Sequence, residues 1–137
     1  MARILAIDYG LKRTGLAVTD PNQIIASPLE TVRTHDLLDF LKDYCKNEEV
    51  ERIVIGMPKN LNNKDTDSTR FVRSFINLLQ KSFRGLPIHE VDERFTSKIA
   101  FQAMIDGGMK KKDRRKKENI DKLSATIILQ SFLEARV

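Results

Sequence analysis

The chain has 137 residues, a formal net charge of +5, and 41% hydrophobic and 31% charged residues. This size and composition predict one soluble domain spanning residues 1–137, and they exclude two full domains or a long repeat array. No stretch approaches the ~20 apolar residues of a membrane-spanning helix, and an acid at position 8 comes too early for a secretory signal. We therefore expect an intracellular protein with no membrane partner. The single cysteine, Cys45, excludes an intrachain disulfide and a cysteine-based zinc site, and it is expected to be a buried, unreactive thiol.

The first third of the chain predicts three strands. These are Arg3–Tyr9, Gly15–Thr19 and Ile24–Val32, with a turn at residues 10–14. Because the connections are short and polar, including Asp20-Pro21-Asn22, the pattern indicates hairpins and antiparallel pairing.

The remainder of the chain alternates between helix and strand patterns. The predicted elements are a helix over residues 37–45, a strand at 52–56, a helix at 65–83 whose buried stripe is Phe71, Phe75, Leu78 and Leu79, a strand at 88–93, a helix at 97–105 and a helix at 120–135. This order predicts an α/β fold with a mixed five-stranded sheet flanked by helices, and it is similar to the ribonuclease H-like fold.

A basic segment, Lys110–Glu118, contains seven basic and two acidic residues, so it carries the whole net charge of the chain. Gly107-Gly108 precedes it and it has no apolar positions, which predicts a loop. A neutral body with one concentrated basic segment is typical of nucleic-acid binders, and we expect this loop to contact phosphates. The alternative is a solvated charged run.

Acidic residues end two of the predicted strands. Asp8 shares a strand face with Ile4 and Ala6, and a carboxylate on such a face requires a partner. Glu93 shares a face with Val91, whereas Asp92 lies on the opposite face. Both acids come at the carboxyl end of a strand, where open α/β sheets bind ligands. Alternation alone does not decide between them.

A third acid, Asp121, lies in the first turn of the last predicted helix, where the unpaired N–H groups and the helix dipole alone favour an acid. It also falls on the same stripe as Ala125, Ile128 and Phe132, which predicts that it faces the sheet. Asp8, Glu93 and Asp121 together would form an oxygen-rich site of the kind that Mg²⁺ or Mn²⁺ prefers. Two such ions, ~3.5–4 Å apart, can bind the attacking water and the leaving oxygen of a phosphodiester. His35 and His89 have no such grouping and are expected to be surface or packing residues.

The chain resembles the YqgF/RuvX family of Holliday junction resolvase-like nucleases. The resemblance depends on four blocks in the family's order: Ile4-Leu5-Ala6-Ile7-Asp8-Tyr9-Gly10 with its continuation to Ala17, Ile55-Gly56-Met57-Pro58-Lys59-Asn60, Val91-Asp92-Glu93-Arg94-Phe95-Thr96, and Ile120-Asp121 through Ile128-Leu129. It covers essentially the whole chain. It implies a ribonuclease H-like fold, a cytoplasmic location and a nuclease that trims the precursor of 16S ribosomal RNA.

The resemblance also implies roles for individual residues. Asp8, Glu93 and Asp121 match the catalytic, metal-ligating acids, and this match selects Glu93 over Asp92. Lys12, Arg13 and Arg94 match basic positions beside those acids, where they would contact phosphate. With the basic loop, the expected nucleic-acid-binding residues are Lys12, Arg13, Arg94, Lys110, Lys111, Lys112, Arg114, Arg115, Lys116 and Lys117.

Other functions compete with this interpretation. A junction resolvase would cut branched DNA, a reaction that a symmetric dimer performs most easily; we expect a monomer or weak homodimer. A binding module would use the basic loop without catalysis. Asp8-Tyr9-Gly10 is also similar to the phosphate hairpin of actin-like ATPases, but those proteins need two such lobes.

Overall fold

The computed structural model describes residues 2–58, 67–92 and 117–136, with the description of residues 67 and 117–121 limited to the backbone. The strands are β1 (Arg3–Asp8), β2 (Arg13–Thr19), β3 (Ala26–Arg33), β4 (Val50–Met57) and β5 (Ile88–Asp92). The helices are α1 (Leu37–Asn47), α2 (Asp67–Ser82) and α3 (Lys117–Ala135), and a short 3₁₀ turn covers Thr34–Asp36.

The five strands form one mixed sheet in the order β3-β2-β1-β4-β5. Strand β2 pairs antiparallel with both β1 and β3, whereas β4 pairs parallel with both β1 and β5. The predicted hairpins and the predicted mixed five-stranded sheet are therefore confirmed. The two parallel pairs place the carboxyl ends of β1, β4 and β5 at one edge of the sheet, which we call the carboxyl edge.

The two faces of the sheet bury separate cores, because successive side chains of a strand point to opposite faces. Leu5 and Ile7 of β1 pack with residues of α1 and α2, including Leu41 and Leu79. Ile4 and Ala6 pack instead with Ala125, Ile128 and Leu129 of α3. We refer to these as the α1/α2 face and the α3 face.

Some element boundaries differ from the sequence predictions. Strand β3 begins at Ala26 rather than Ile24, because the carboxylate of Asp20 accepts hydrogen bonds from the backbone N–H groups of Ile24 and Ile25 at 2.8 and 2.7 Å and holds them in the turn. Strand β2 begins at Arg13, inside the predicted turn, because Arg13 pairs with Arg33. The predicted helix at residues 97–105 lies outside the described residues.

The helix predictions need two corrections. Phe75 and Leu79 are buried on α2 as expected, but Phe71 and Leu78 are 48% and 44% exposed. Both residues lie beside the stripe of α2 that contacts the sheet and are not part of that stripe. The predicted basic loop also ends earlier than Glu118, since the helix α3 begins at Lys117. No helix in the described ranges is long and apolar enough to span a membrane.

Candidate active site

Asp8 is the last residue of β1, the central strand of the sheet, and its side chain is half-buried. By strand alternation it points to the α3 face, together with Ile4 and Ala6, as the sequence predicted. It therefore occupies the carboxyl edge, immediately beyond the core that α3 covers. The carboxylate thus lies at the boundary between the apolar core under α3 and the carboxyl edge of the sheet.

Glycines lie on both sides of Asp8 in the neighbouring strands. Gly15 of β2 is its register partner, and Gly56 of β4 directly follows Ile55, the register partner of Ile7. Both glycines are buried in the sheet. Since neither has a side chain, no neighbouring strand residue covers the carboxylate on the α3 face in this row. This arrangement leaves room for a ligand beside Asp8.

The structure separates Asp92 from Asp8. His89 of β5 stacks against Phe132 of α3 with ring centroids 5.2 Å apart, and Val91 packs against the α3-face core. Ile88 packs against the opposite core, so alternation places the exposed Asp92 on the α1/α2 face. Asp92 and Asp8 therefore occupy different faces of the sheet. Glu93 lies outside the described residues.

The direction of α3 can be read from its contacts. Arg136, which follows the helix, donates hydrogen bonds to the side-chain oxygen and backbone carbonyl of Gln23 at 2.6 and 3.2 Å. Gln23 in turn donates to the carbonyl of Ala2, which precedes β1. The end of α3 thus lies at the edge opposite Asp8, and its first turns run toward the carboxyl edge. Asp121, of which only the backbone is described, belongs to these turns.

Two of the expected phosphate-binding residues lie at the β1–β2 turn, Lys12 as its last residue and Arg13 as the first residue of β2. Lys12 is exposed and Arg13 is half-buried, and both line a surface groove of about 630 Å³. The structure therefore places two cationic side chains next to the carboxyl edge. Of the remaining candidates, Arg94 and residues 110–116 lie outside the described part, and Lys117 is described only as a backbone position at the start of α3.

The turn that carries these cations is fixed by Thr34. Its hydroxyl donates to the carbonyl of Gly10 at 2.5 Å, and its backbone N–H donates to the carbonyl of Lys12 at 3.0 Å. The hydroxyl of Thr14 lies 3.0 Å from that of Thr34 and donates to it, because Thr34 has already used its only hydroxyl hydrogen. The chain path from Asp8 to Arg13 is thus tied to the end of β3.

Aromatic packing anchors the residue after Asp8. Tyr9 lies against Phe75 of α2 with ring centroids 5.0 Å apart, and burial raises the pKa of its hydroxyl. A Cβ on Gly10, the next residue, would overlap the carbonyl oxygen of Arg13. Only glycine fits at this close approach of the backbone. Asp8 is thus followed by two residues with little freedom to move.

The chemistry at Asp8 suits a hard divalent cation. Carboxylate oxygens are the ligands that Mg²⁺ and Mn²⁺ prefer, and the residues of β2 and β4 in the same row as Asp8 are glycines. Within residues 2–58, 67–92 and 117–136, no three acidic, histidine or cysteine side chains form a cluster. A complete ligand set thus needs acids beyond those whose side chains are described, and both Glu93 and Asp121 belong to that group.

The remaining candidate reactive groups are two histidines and a cysteine. His35 is exposed and lies 3.4 Å from Asp36, whereas His89 packs on Phe132, so both are surface or packing residues as expected. Cys45 of α1 is half-buried, and burial raises the pKa of its thiol, which lowers the fraction of reactive thiolate.

Sequence reasoning missed Arg33 and Thr34. The predicted third strand ended at residue 32, so Arg33 was not aligned with Arg13 and Thr34 was not connected to the turn. The signal was available in the hairpin register, because antiparallel pairing of the two strands places Arg33 directly opposite Arg13.

The strand order and mixed pairing define a ribonuclease H-like domain. A solved structure of Thermus thermophilus RuvC in complex with a Holliday junction substrate has the same fold, with a TM-score of 0.59, 16% identity, and coverage of 99% of this chain and 96% of that chain. Residues 2–135 match the family described as RuvX, Holliday junction resolvase. The chain belongs to the RuvX family.

Relatives in this family match over nearly their whole length. The protein of Phocaeicola vulgatus is 57% identical over 136 residues, covering 99% of this chain and 98% of its own. That of Flavobacterium psychrophilum is 50% identical over 137 residues, covering 100% of both chains. Both are named "Putative pre-16S rRNA nuclease".

Proposed function

We propose that this protein is a divalent-metal-dependent nuclease that hydrolyses phosphodiester bonds in the precursor of 16S ribosomal RNA. The observation that carries the proposal is the position of Asp8: a half-buried carboxylate at the carboxyl edge, on the α3 face, with glycines on both sides. Relatives 50–58% identical and named as nucleases of this RNA support the substrate. Residues 1–137 would act as one nuclease domain, in the cytoplasm.

Asp8, Glu93 and Asp121 would hold the metal. The α3-face position of Asp8 supports Glu93 over Asp92, because Asp92 lies on the α1/α2 face. The direction of α3 supports Asp121, because it precedes Ala125 by one helical turn and Ala125 packs against Ile4 and Ala6 of β1. Bound Mg²⁺ or Mn²⁺ would supply a water of lowered pKa and would stabilise charge on the leaving oxygen.

The protein side chains have separate tasks in this proposal. Asp8 would be a carboxylate ligand that orients the ion at the carboxyl edge. Lys12 and Arg13, one turn further along the chain, would hold phosphates of the substrate, with Arg94 and the basic residues at 110–117 as further contacts. We propose a monomer or weak homodimer as the active form, since a single-site RNA trimming reaction does not require a second copy.

The second candidate function is resolution of branched DNA. It is favoured by the family description and by the fold that this chain shares with RuvC. The RNA proposal is preferred because the relatives at 50% identity or more carry the ribosomal RNA name, whereas RuvC is only 16% identical.

The test is cleavage of end-labelled precursor 16S RNA and of a four-way DNA junction, each with Mg²⁺, with Mn²⁺ and with EDTA. Wild type is compared with Asp8→Asn and with Asp39→Asn, a control that removes one exposed carboxylate on α1. Even the outer-shell partners of metal ligands typically contribute roughly 10–100-fold, so Asp8→Asn is expected to lower cleavage by about 100-fold or more. The control should retain activity.

Each outcome separates the candidate functions. Metal-dependent cutting of the RNA, lost in Asp8→Asn, supports the proposal, and preference for the junction would replace it with the resolvase. If wild type and Asp8→Asn cut equally, Asp8 is not a catalytic acid and the proposed site is wrong. If neither cuts either substrate while both bind RNA, the protein is a binding module without catalysis.

A further inference from the structure

The groove beside the carboxyl edge is more basic than the sequence indicated. Lys12 of the β1–β2 turn and Arg13, the first residue of β2, line it together with Arg33, the last residue of β3, and His35 of the 3₁₀ turn that follows. No acidic residue is among those lining it in the part of the chain that the structure describes. Its lining thus combines three permanent positive charges and a histidine.

Arg13 and Arg33 are direct cross-strand register partners. Like charges directly opposite each other in an antiparallel pair destabilise the sheet. Arg33 is exposed, and it makes no ion pair with any residue in the described ranges. An anion that contacts both arginines would favour this pairing, and the exposed guanidinium of Arg33 is available for such a contact.

The sheet register relates this arginine pair to Asp8. Asp8, Gly15 and Thr31 form one row across β1, β2 and β3, and Arg13 and Arg33 form the row two residues further toward the carboxyl edge. With adjacent strands about 4.8 Å apart and a rise of about 3.3 Å per residue, the Cα of Arg13 lies about 8 Å from that of Asp8, and the Cα of Arg33 about 12 Å. All three residues point to the α3 face.

The groove is held in place before any ligand binds. Thr34 joins the end of β3 to the β1–β2 turn through its bonds to the carbonyls of Gly10 and Lys12. Lys12, Arg13 and Arg33 therefore keep a fixed backbone relation to Asp8. Arginine suits phosphate especially, since its planar guanidinium forms two parallel hydrogen bonds to phosphate oxygens.

We propose that the β2–β3 groove binds the phosphodiester backbone of a nucleic-acid strand next to the phosphate that is cleaved at Asp8, and that Arg33 is a phosphate-contacting residue. The cleavage part rests on the proposed function; the binding part does not. The groove would recognise the charge of the phosphodiester backbone, so binding would not depend on the base sequence. The groove would fix which phosphate of the bound strand reaches Asp8.

The test measures binding without cleavage. A fluorescein-labelled single-stranded RNA of twelve nucleotides is titrated in EDTA at several salt concentrations, with wild type, Arg33→Gln and the control Arg84→Gln. Arg84 is exposed and precedes β5, so it lies at the opposite edge of the sheet. Circular dichroism melting confirms that each variant folds.

Arg33→Gln is expected to bind several-fold more weakly and to reduce the slope of log K against log salt by about 0.7, the contribution of one phosphate contact on a single strand. Arg84→Gln should change neither. Equal affinity and slope for wild type and Arg33→Gln would overturn the proposal. So would Arg33-dependent binding of inorganic phosphate without any effect on RNA, since the groove would then serve a small free anion.

Comparison with the Asp8→Asn cleavage assay distinguishes a failure of the groove proposal from a failure of the proposed function. If Asp8→Asn cuts like wild type but Arg33→Gln binds RNA weakly, the groove stands and the catalytic proposal fails. If Asp8→Asn loses cleavage and Arg33→Gln has normal affinity and slope, the catalytic proposal stands and the groove fails.

Discussion

The hydroxyl of Thr34 donates a 2.5 Å hydrogen bond to the carbonyl oxygen of Gly10, across 24 residues of sequence. Gly10 comes two residues after Asp8, and Thr34 comes directly after Arg33. This bond, together with that from the backbone N–H of Thr34 to the carbonyl of Lys12, therefore connects the end of β3 with the turn that follows the candidate catalytic strand. The contact adds to the sheet register, which relates Asp8 to Arg33 through Gly15 and Arg13 of β2.

Thr34→Val tests the contact. The substitution keeps the shape of the side chain but leaves the carbonyl of Gly10 without this donor, which is expected to cost about 1–3 kcal/mol in the free energy of unfolding. Cleavage of precursor RNA should also fall, because the turn between Asp8 and Lys12 is released. Thr34→Ser retains the hydroxyl and should preserve both properties. Urea unfolding followed by circular dichroism and initial cleavage rates provide the two measurements, and a stable, fully active Thr34→Val would show that the bond has no such role.

Gly10→Ala is expected to disturb the same turn by steric overlap. The added Cβ would meet the carbonyl oxygen of Arg13, which is backbone and can move only with the strand. Gly85→Ala is the matched control: Gly85 has a φ of +85° with open space around it, so alanine there costs about 1–2 kcal/mol of backbone strain. Both variants should melt at a lower temperature, but only Gly10→Ala should lower cleavage when each is assayed well below its melting temperature.

The face of each strand residue was predictable from the sequence, and the ends of the strands were not. Alternation along β1 placed Asp8 with Ile4 and Ala6, which the structure confirms. The predicted start of β3 was wrong. The apolar residues Ile24 and Ile25 suggested a strand, whereas the carboxylate of Asp20 accepts hydrogen bonds from their backbone N–H groups. A side chain that competes for backbone donors is not visible in a hydrophobic pattern.

The helix α2 was predicted correctly, but two residues of its predicted apolar stripe are exposed. Helical spacing groups Phe71 and Leu78 with Phe75 and Leu79, but a helix that packs on a sheet buries only the arc facing it. In α2 this arc contains Val72, Phe75, Ile76 and Leu79. Sequence periodicity gives the approximate direction of the apolar face, and the packing angle against the sheet decides which bordering residues remain exposed.

Asp20 predicts a pH dependence of stability. Its carboxylate accepts bonds from Ile25, Ile24 and Asn22, and the bond from Ile25 is the largest cause that lowers its pKa below the ordinary value of 3.8. Because the pKa is lower in the folded state, the carboxylate stabilises the fold above pH 3.8, and this contribution is lost as the pH falls through the folded pKa. Melting temperatures between pH 6 and pH 2 should therefore decline more steeply for wild type than for Asp20→Asn; parallel declines would contradict this assignment.

The packing of α3 on β1 predicts that a substitution outside the candidate site lowers cleavage. Ala125 is fully buried against Ile4 and Ala6, so Ala125→Leu should overpack this contact and cost about 1–3 kcal/mol in the free energy of unfolding. The strained contact lies one turn from Asp121, and cleavage should fall more than the loss of folded protein explains. Ala135→Leu, at the exposed end of α3, adds the same atoms without the strain. Equal specific activity of the two folded variants would argue against a role for this contact in placing Asp121.

The basic segment and the groove should contribute separately to nucleic-acid affinity. Replacing Lys110, Lys111, Arg114 and Arg115 by serine removes four of the seven basic residues of the segment. If each contacts one phosphate of a single strand, the slope of log K against log salt should fall by about 2.8 in magnitude, or 0.7 per contact. Combining these changes with Arg33→Gln should lower the slope by a further 0.7 or so, because independent phosphate contacts release their counterions additively. Anisotropy titrations in EDTA measure both slopes, and an unchanged slope in the serine variant would mean that the segment is a solvated charged run.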